Sequence, residues 1–223
     1  PHRRLARAIG ESLHGLRHPA AALPGGLPGP SVCETWLRRP YSATSFAGVV
    51  FGSELIEDWV EQRQGYFAGY RLGEDLDEFW GVETRIAFSY VRLDDSPQAK
   101  AAQQAADNAA GVAIDAPYRN RFDQGREADF FLWDVDLLYY PWGDRPLRPY
   151  GMIGFGLMRV SFVDRLNRSI EDLMYSMPLA IGIKHRPTER AAFRLEVADN
   201  IGFGGDLDML HNVSLTLGFE LRF

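Results

Sequence analysis

The residues best suited to chemistry are few in this chain and poorly spaced for it. His211 and Ser214 lie three positions apart in an alternating segment. On a strand that spacing turns them to opposite faces, so they do not make a nucleophile–base pair. His185 falls near a short turn and reads as an interfacial residue rather than a base. His2, His14 and His18 sit in the N-terminal stretch, and only His14 and His18 have helical spacing. Two imidazoles alone make a poor metal site. Asp206 and Asp208 in GGDLDM lack the length of a calcium loop, and a polar turn is the simpler reading. GFGGDL follows a strand-like run but opens no helix, so it is no phosphate loop. Cys33 is the single cysteine, which excludes an internal disulfide. Its context, Gly29-Pro30-Ser31-Val32-Cys33, is not that of a lipid-anchored cysteine. The expectation is a protein without catalysis, cofactor or metal.

One set of charges does have a pattern. Arg71, Arg85, Lys184, Arg194 and Arg222 face Glu83, Asp134, Asp136, Glu196 and Glu220 in number, and the signs balance. Each sits on the polar face of a segment whose other face is apolar. The chemistry open to such a set is mutual ion pairing, provided something brings the polar faces together out of water.

The elements that would position them alternate with a period of two. In Asn212 to Phe223, Val213, Leu215, Leu217, Phe219, Leu221 and Phe223 share one face; Asn212, Ser214, Thr216, Gly218, Glu220 and Arg222 share the other. That is a strand with one apolar face, and no helix matches it. Trp80–Tyr90, Phe131–Tyr139, Leu179–Lys184 and Phe193–Ala198 repeat the pattern. Weaker strands fall near Ser45–Phe51, Tyr66–Leu72 and Tyr150–Phe162, and the last shifts its apolar phase near Met158–Arg159, which predicts a bulge. Eight strands result. Connections of about 13, 37, 13 and 10 residues around Glu57, Ala105, Leu166 and Gly205 alternate with the tight turns GEDLDE, PWGDRPLR and RPTE. Within the longest connection, Ser96, Pro97 and the following alanines predict a short capped helix.

Residues 1–40 read differently. HRRLARAIGESLHGLR spaces Leu5, Ile9, Leu13 and Leu16 as one helical face, and PAAALPGGLPGP is a linker. The body of the chain is therefore expected over residues 41–223. No apolar run is long enough for a transmembrane helix. A mean hydropathy of −0.22 fits a soluble protein and a membrane barrel equally, since only alternate barrel residues face lipid. A net charge of −6 with mixed signs argues against a nucleic-acid partner.

The terminal HNVSLTLGFELRF, with GYFAGYRLG, FWGVETRIAFSYV, LLYYPWGDRPLRPYGMIGFGL and IGIKHRPTERAAFRLEV, resembles the strand–turn–strand units of small bacterial outer-membrane β-barrels. These barrels are similar to the transmembrane domain of outer-membrane protein A. The resemblance covers roughly residues 41–223. It implies an all-β, eight-stranded antiparallel up-and-down transmembrane barrel, here with an N-terminal helical extension. Both termini and the short turns would be periplasmic. Phe219, Leu221 and Phe223 would form the signal read by the barrel insertion machinery. The other implied partners are outer-membrane lipid, lipopolysaccharide and other envelope proteins.

Aromatic clusters at strand ends support this arrangement. Trp80, Tyr139, Tyr140, Trp142, Tyr150 and Phe223 would girdle one rim, and Tyr66, Phe88, Tyr90, Phe131 and Trp133 the other. Arg159 would reach headgroups or lipopolysaccharide phosphates. The expected role is structural, anchoring or that of a complex subunit. A narrow solute channel and a soluble lipocalin-like binder are the alternatives.

Overall fold

Period-two alternation leaves each segment with an apolar face that must find lipid or protein, and a polar face that must avoid lipid. The computed structural model describes residues 36–56, 60–111, 126–163, 169–207 and 209–223. The helix expected over residues 2–17, the linker and Cys33 lie outside the described residues. Ahead of the first strand, the description contains only a 3-10 turn, Trp36–Arg38.

The strands are β1 (Tyr41–Gly52), β2 (Glu54–Ile56), β3 (Val60–Asp75), β4 (Trp80–Asp95), β5 (Arg126–Tyr139), β6 (Leu147–Val163), β7 (Ser169–His185), β8 (Ala191–Phe203) and β9 (Leu210–Arg222). All pairings are antiparallel between neighbours. The sheet closes because β1 pairs with both β3 and β9. The short β2 pairs only with β3 and extends the line of β1, so the barrel has eight staves. Both ends of the described body meet on one rim, where the Phe223 amide donates to the Tyr41 carbonyl.

The register fixes the barrel's size. Stepping across partners from Tyr41 leads to Glu74, Val82, Leu137, Ile153, Leu179, Asp199, Val213 and back to β1 at Phe51. One circuit has climbed from position 41 to position 51. For eight strands that stagger sets a tilt of about 40° and a bore just wide enough for side chains.

Burial follows the alternation. In β9, Val213, Leu215, Leu217, Phe219 and Leu221 face outward, while Asn212, Ser214, Thr216, Glu220 and Arg222 are buried inside. On β4 the outward apolar run goes from Trp80 to Tyr90. At about 3.3 Å per residue and a tilt of about 40°, it covers about 25 Å along the barrel axis, the height of a lipid-facing band.

Three expectations are corrected. Strand β6 has no bulge at Met158–Arg159, because its pairing with β5 runs unbroken from Gly151 to Phe162. Met158, Val160 and Phe162 point inward instead, so the apparent phase shift is a change in lumen chemistry rather than in backbone. The register irregularities lie at Gln62/Gly65 in β3 and at Glu54/Ile56 in β2. The connections around Glu57, Leu166 and Gly205 are also shorter than expected, since the flanking strands run on past the apolar band. Finally, Tyr140 and Tyr150 are buried in the bore and do not join an outer girdle. The capped helix α1 (Pro97–Ala109) is present, with the Ser96 hydroxyl accepting from the Ala99 amide at 3.0 Å.

Leu217 lies in the middle of the outward band and is 67% exposed. Leu217→Arg should destabilise the barrel in liposomes by about 2–4 kcal/mol, whereas Ala105→Arg on the exposed face of α1 should change stability by less than about 0.5 kcal/mol. Equal effects in a reversible denaturant titration would invalidate this assignment of faces.

Candidate functional site

The bore divides lengthwise into two chemistries. Its turn-side half holds Arg71, Arg85, Arg148, Lys184, Arg194 and Arg222 against Asp75, Glu83, Asp134, Asp136, Glu196 and Glu220, all buried. All ten charged positions picked out by alternation are therefore inside. Asp75 and Arg148 were missed because they fall in segments read as turns. Extending the period by two steps from Arg71, through Gly73 to Asp75, and by one step from Tyr150 back to Arg148 reaches both.

Most of the pairs run across the bore rather than between neighbouring strands. Arg71 on β3 grips Glu196 on β8 with two bonds of 2.8 and 2.5 Å. Glu83 on β4 takes Lys184 of β7 at 2.8 Å and Arg194 of β8 at 2.5 Å. Arg194 also donates to Glu196 at 2.6 Å and to the Tyr150 hydroxyl at 2.5 Å, and Tyr150 donates to Glu196 at 2.7 Å. Lys184 lies 3.1 Å from Glu220, which links this cluster to the turn-side mouth. There Arg222 donates to Glu220 at 2.7 Å and to Asp75 at 2.6 Å, and Arg148 donates to Asp75 at 3.0 Å. Two pairs in this set join adjacent strands: Arg85–Asp134, with contacts of 2.7 to 3.2 Å between β4 and β5, and the looser Arg71–Glu83, 3.8 Å apart between β3 and β4. A fork-on-fork guanidinium–carboxylate pair is strong and directional, so these bonds lock the staves at fixed distances.

Asp136 differs from the rest. It is 1% exposed, and neither carboxylate oxygen has a hydrogen-bond partner. Gly154 faces it; a Cβ there would lie 1.9 Å from Asp136 Oδ1. The glycine is required by this close approach.

Trp36 plugs the turn-side mouth. Its ring is 1% exposed, and the guanidinium carbons of Arg148, Arg186 and Arg222 lie 4.9, 4.8 and 4.5 Å from its centroid. Its indole Nε1 donates to the Arg145 carbonyl at 2.7 Å, and its amide donates to Asp144 at 2.8 Å. The Arg148 guanidinium carbon also lies 3.6 Å from the centroid of the buried Tyr140 ring.

The loop-side half is largely apolar, with Gln62, Asn200, Asn212 and the Asp95–Arg126 pair as polar exceptions. Val50, Leu55, Val91, Phe130, Met158, Val160, Phe162, Met174 and Leu210 pack into one buried cluster. Apolar side chains fill most of this half by packing. Among the described residues no group of three or more His, Cys, Asp or Glu side chains is placed to hold a metal ion.

A closed sheet with a lipid-sized apolar band outside and a filled interior defines an integral β-barrel membrane protein. The chain belongs to the outer membrane protein β-barrel domain family, whose model matches residues 41–223. It is a bacterial outer-membrane barrel. The fold is similar to that of neisserial surface protein A, at 12% identity and a TM-score of 0.52, covering 82% of this chain and 97% of that one. It is also similar to OprG of Pseudomonas aeruginosa, at 14% identity and a TM-score of 0.49, covering 83% and 96%. No curated protein matches by sequence.

Removing Glu83 takes one of two carboxylate partners from each of Lys184 and Arg194 and leaves a surplus of buried positive charge. Glu83→Ala should cost about 3–5 kcal/mol, and adding Lys184→Met should restore part of that loss. Asp136→Asn removes a charge that has no hydrogen bond to lose and should change stability by less than about 1 kcal/mol. Denaturant unfolding of the four proteins in liposomes provides the comparison, and an Asp136→Asn loss as large as that of Glu83→Ala would refute the assignment of partners.

Proposed function

We propose that this chain is a sealed, structural barrel that anchors its loops and its N-terminal stretch at the two surfaces of the outer membrane for contact with other envelope components. The observation that carries this reading is the filled bore. Trp36 and the ion-pair network occupy the turn-side half, and the Phe130–Met158–Phe162 cluster occupies the other. Ion pairs that span the bore occupy the space a conduction path would need, which argues against the narrow-channel reading. The soluble lipocalin-like reading has the faces reversed, since Leu217, Ile181 and Tyr66 all point outward and are exposed.

In this reading the tight-turn rim and both ends of the barrel face the periplasm, and α1 stands outside the cell. Phe219, Leu221 and Phe223 act as the insertion signal during assembly. Beyond the apolar band the outward face turns to Arg63, Arg92, Asp129, Arg159 and Glu171. That ring suits the headgroups of lipid and lipopolysaccharide. Arg159 belongs to it and lies 3.4 Å from Glu171, so it is not stranded in hydrocarbon.

The purified protein should run at different positions on detergent gels before and after boiling, as closed barrels do. In planar bilayers it should give no stepwise conductance above background. Discrete, reproducible current steps would replace the sealed reading with a channel.

A further inference from the structure

The outward face of β1, β9 and β8 carries one cluster that neither the seal nor the lipid band uses. Ser53, just beyond β1, lies opposite His211 of β9 by continuation of the β1–β9 register. Its amide donates to the His211 carbonyl at 2.8 Å, and its hydroxyl accepts the His211 amide at 3.0 Å. Across β9 on the other side, Asp199 of β8 meets His211 Nδ1 at 2.8 Å through Oδ2. A serine, a histidine and an aspartate thus stand in one row over three adjacent strands, all on the lipid-facing side.

Their depth is as informative as their order. Outward from Val213, His211 takes the place that Arg92 takes after Tyr90 and Asp129 takes after Phe131, where the apolar band ends. This is the level at which a bilayer lipid carries its acyl linkages. Below it an apolar groove, lined by Leu137, Tyr139, Ile153, Leu179, Ile181 and Val197, runs along the outer face and ends at Asp199. Gly151 leaves the groove floor bare, with no atom within 4 Å of where a Cβ would stand. The groove fits an acyl chain whose linkage would then lie beside the row.

Asp199 is placed to set the imidazole's state. A carboxylate on Nδ1 holds that nitrogen as N–H and leaves Nε2 as the basic nitrogen. The His211 side chain is 49% exposed on the outward face. At rest the Ser53 hydroxyl accepts from the His211 main-chain amide and donates to the Glu54 carbonyl at 3.5 Å, so attack requires it to leave both.

We propose that Ser53, His211 and Asp199 form a lipid-facing hydrolase site for the O-acyl ester of a membrane lipid. Ser53 Oγ attacks the ester carbonyl carbon as its proton passes to His211 Nε2. The bond from that carbon to the alcohol oxygen breaks, and the alcohol leaves with the proton from Nε2. Water then attacks the acyl-serine, giving its proton to Nε2. The bond to Ser53 breaks, Ser53 regains the proton, and the fatty acid departs. The sum is ester plus water to acid plus alcohol, with no oxidant or further reactant. Ser53 and His211 touch the reacting atoms, and Asp199 is a positioning residue. The activity adds to the structural role proposed above. Only the leaflet it serves depends on the orientation given there.

The full chain in mixed micelles would be incubated separately with phosphatidylethanolamine and with lipopolysaccharide, and free fatty acid measured by mass spectrometry. Release from either supports the site, and which of the two is cleaved identifies the source of the ester. Ser53→Ala and His211→Gln should each lower the rate by about 10³-fold while the barrel keeps its heat-modifiable mobility. Asp199→Asn should lower kcat with KM unchanged. A fluorophosphonate probe should label Ser53 in the parent and not in Ser53→Ala. No fatty acid from either lipid, or release that survives Ser53→Ala, would overturn the proposal, and neither result would alter the conductance test of the sealed barrel.

Discussion

Everything in this molecule depends on closing the backbone hydrogen-bond ladder. Lipid offers no partner to an open strand edge, so the first and last staves must find each other. They do so through β1 and β9, in a register that climbs from Tyr41 to Phe51 in one circuit. That register sets the bore, and the bore decides which side chains can coexist inside it. Long cations and carboxylates reach each other from opposite walls. Gly154 marks where no more volume fits.

The two halves of the interior solve the same filling problem by different physics. On the turn side, buried charges would be intolerable singly, so Arg71, Arg194 and Lys184 share Glu83 and Glu196 among them. On the loop side, Phe130, Met158 and Phe162 fill space by dispersion and exclude water without directional bonds. The first half specifies distances; the second tolerates exchange of one apolar shape for another. Asp136 lies among the charges yet bonds to none of them, which makes it the network's one unpaired acid among the described residues.

Much of this was legible in alternation alone. The period of two in Val213–Phe223 and Trp80–Tyr90 separates lipid face from lumen face without reference to any partner. The lumen charges were legible for the same reason, because each interrupts an apolar rhythm. Partner choice was not, since Arg71 and Glu196 are 125 positions apart and meet only after closure. The apolar half of the lumen was hidden too. In β6 near Met158–Phe162 the inward face turns apolar while Arg159 and Ser161 make the outward face polar, so the alternation reverses its sign, and a change of interior chemistry imitates a bulge. The Ser53–His211–Asp199 row escaped because it crosses three strands, two of which are neighbours only through closure. Along β9 itself His211 and Ser214 face opposite ways; the row runs across the strands instead.

Trp36 ties the start of the described chain to its end. Its carbonyl accepts from Arg222 at 3.3 Å, and the Arg39 carbonyl accepts from the same guanidinium at 3.0 Å. Its amide and indole meanwhile hold Asp144 and Arg145, in the turn between β5 and β6. The contacts to Arg222 cannot form while the final strand is unpaired. The indole is therefore a latch that drops last, and a chain stalled one strand short is left with its mouth unfastened. Such a chain differs from a finished one in a feature an aqueous protease on that side can reach: a loose tryptophan on a free tether.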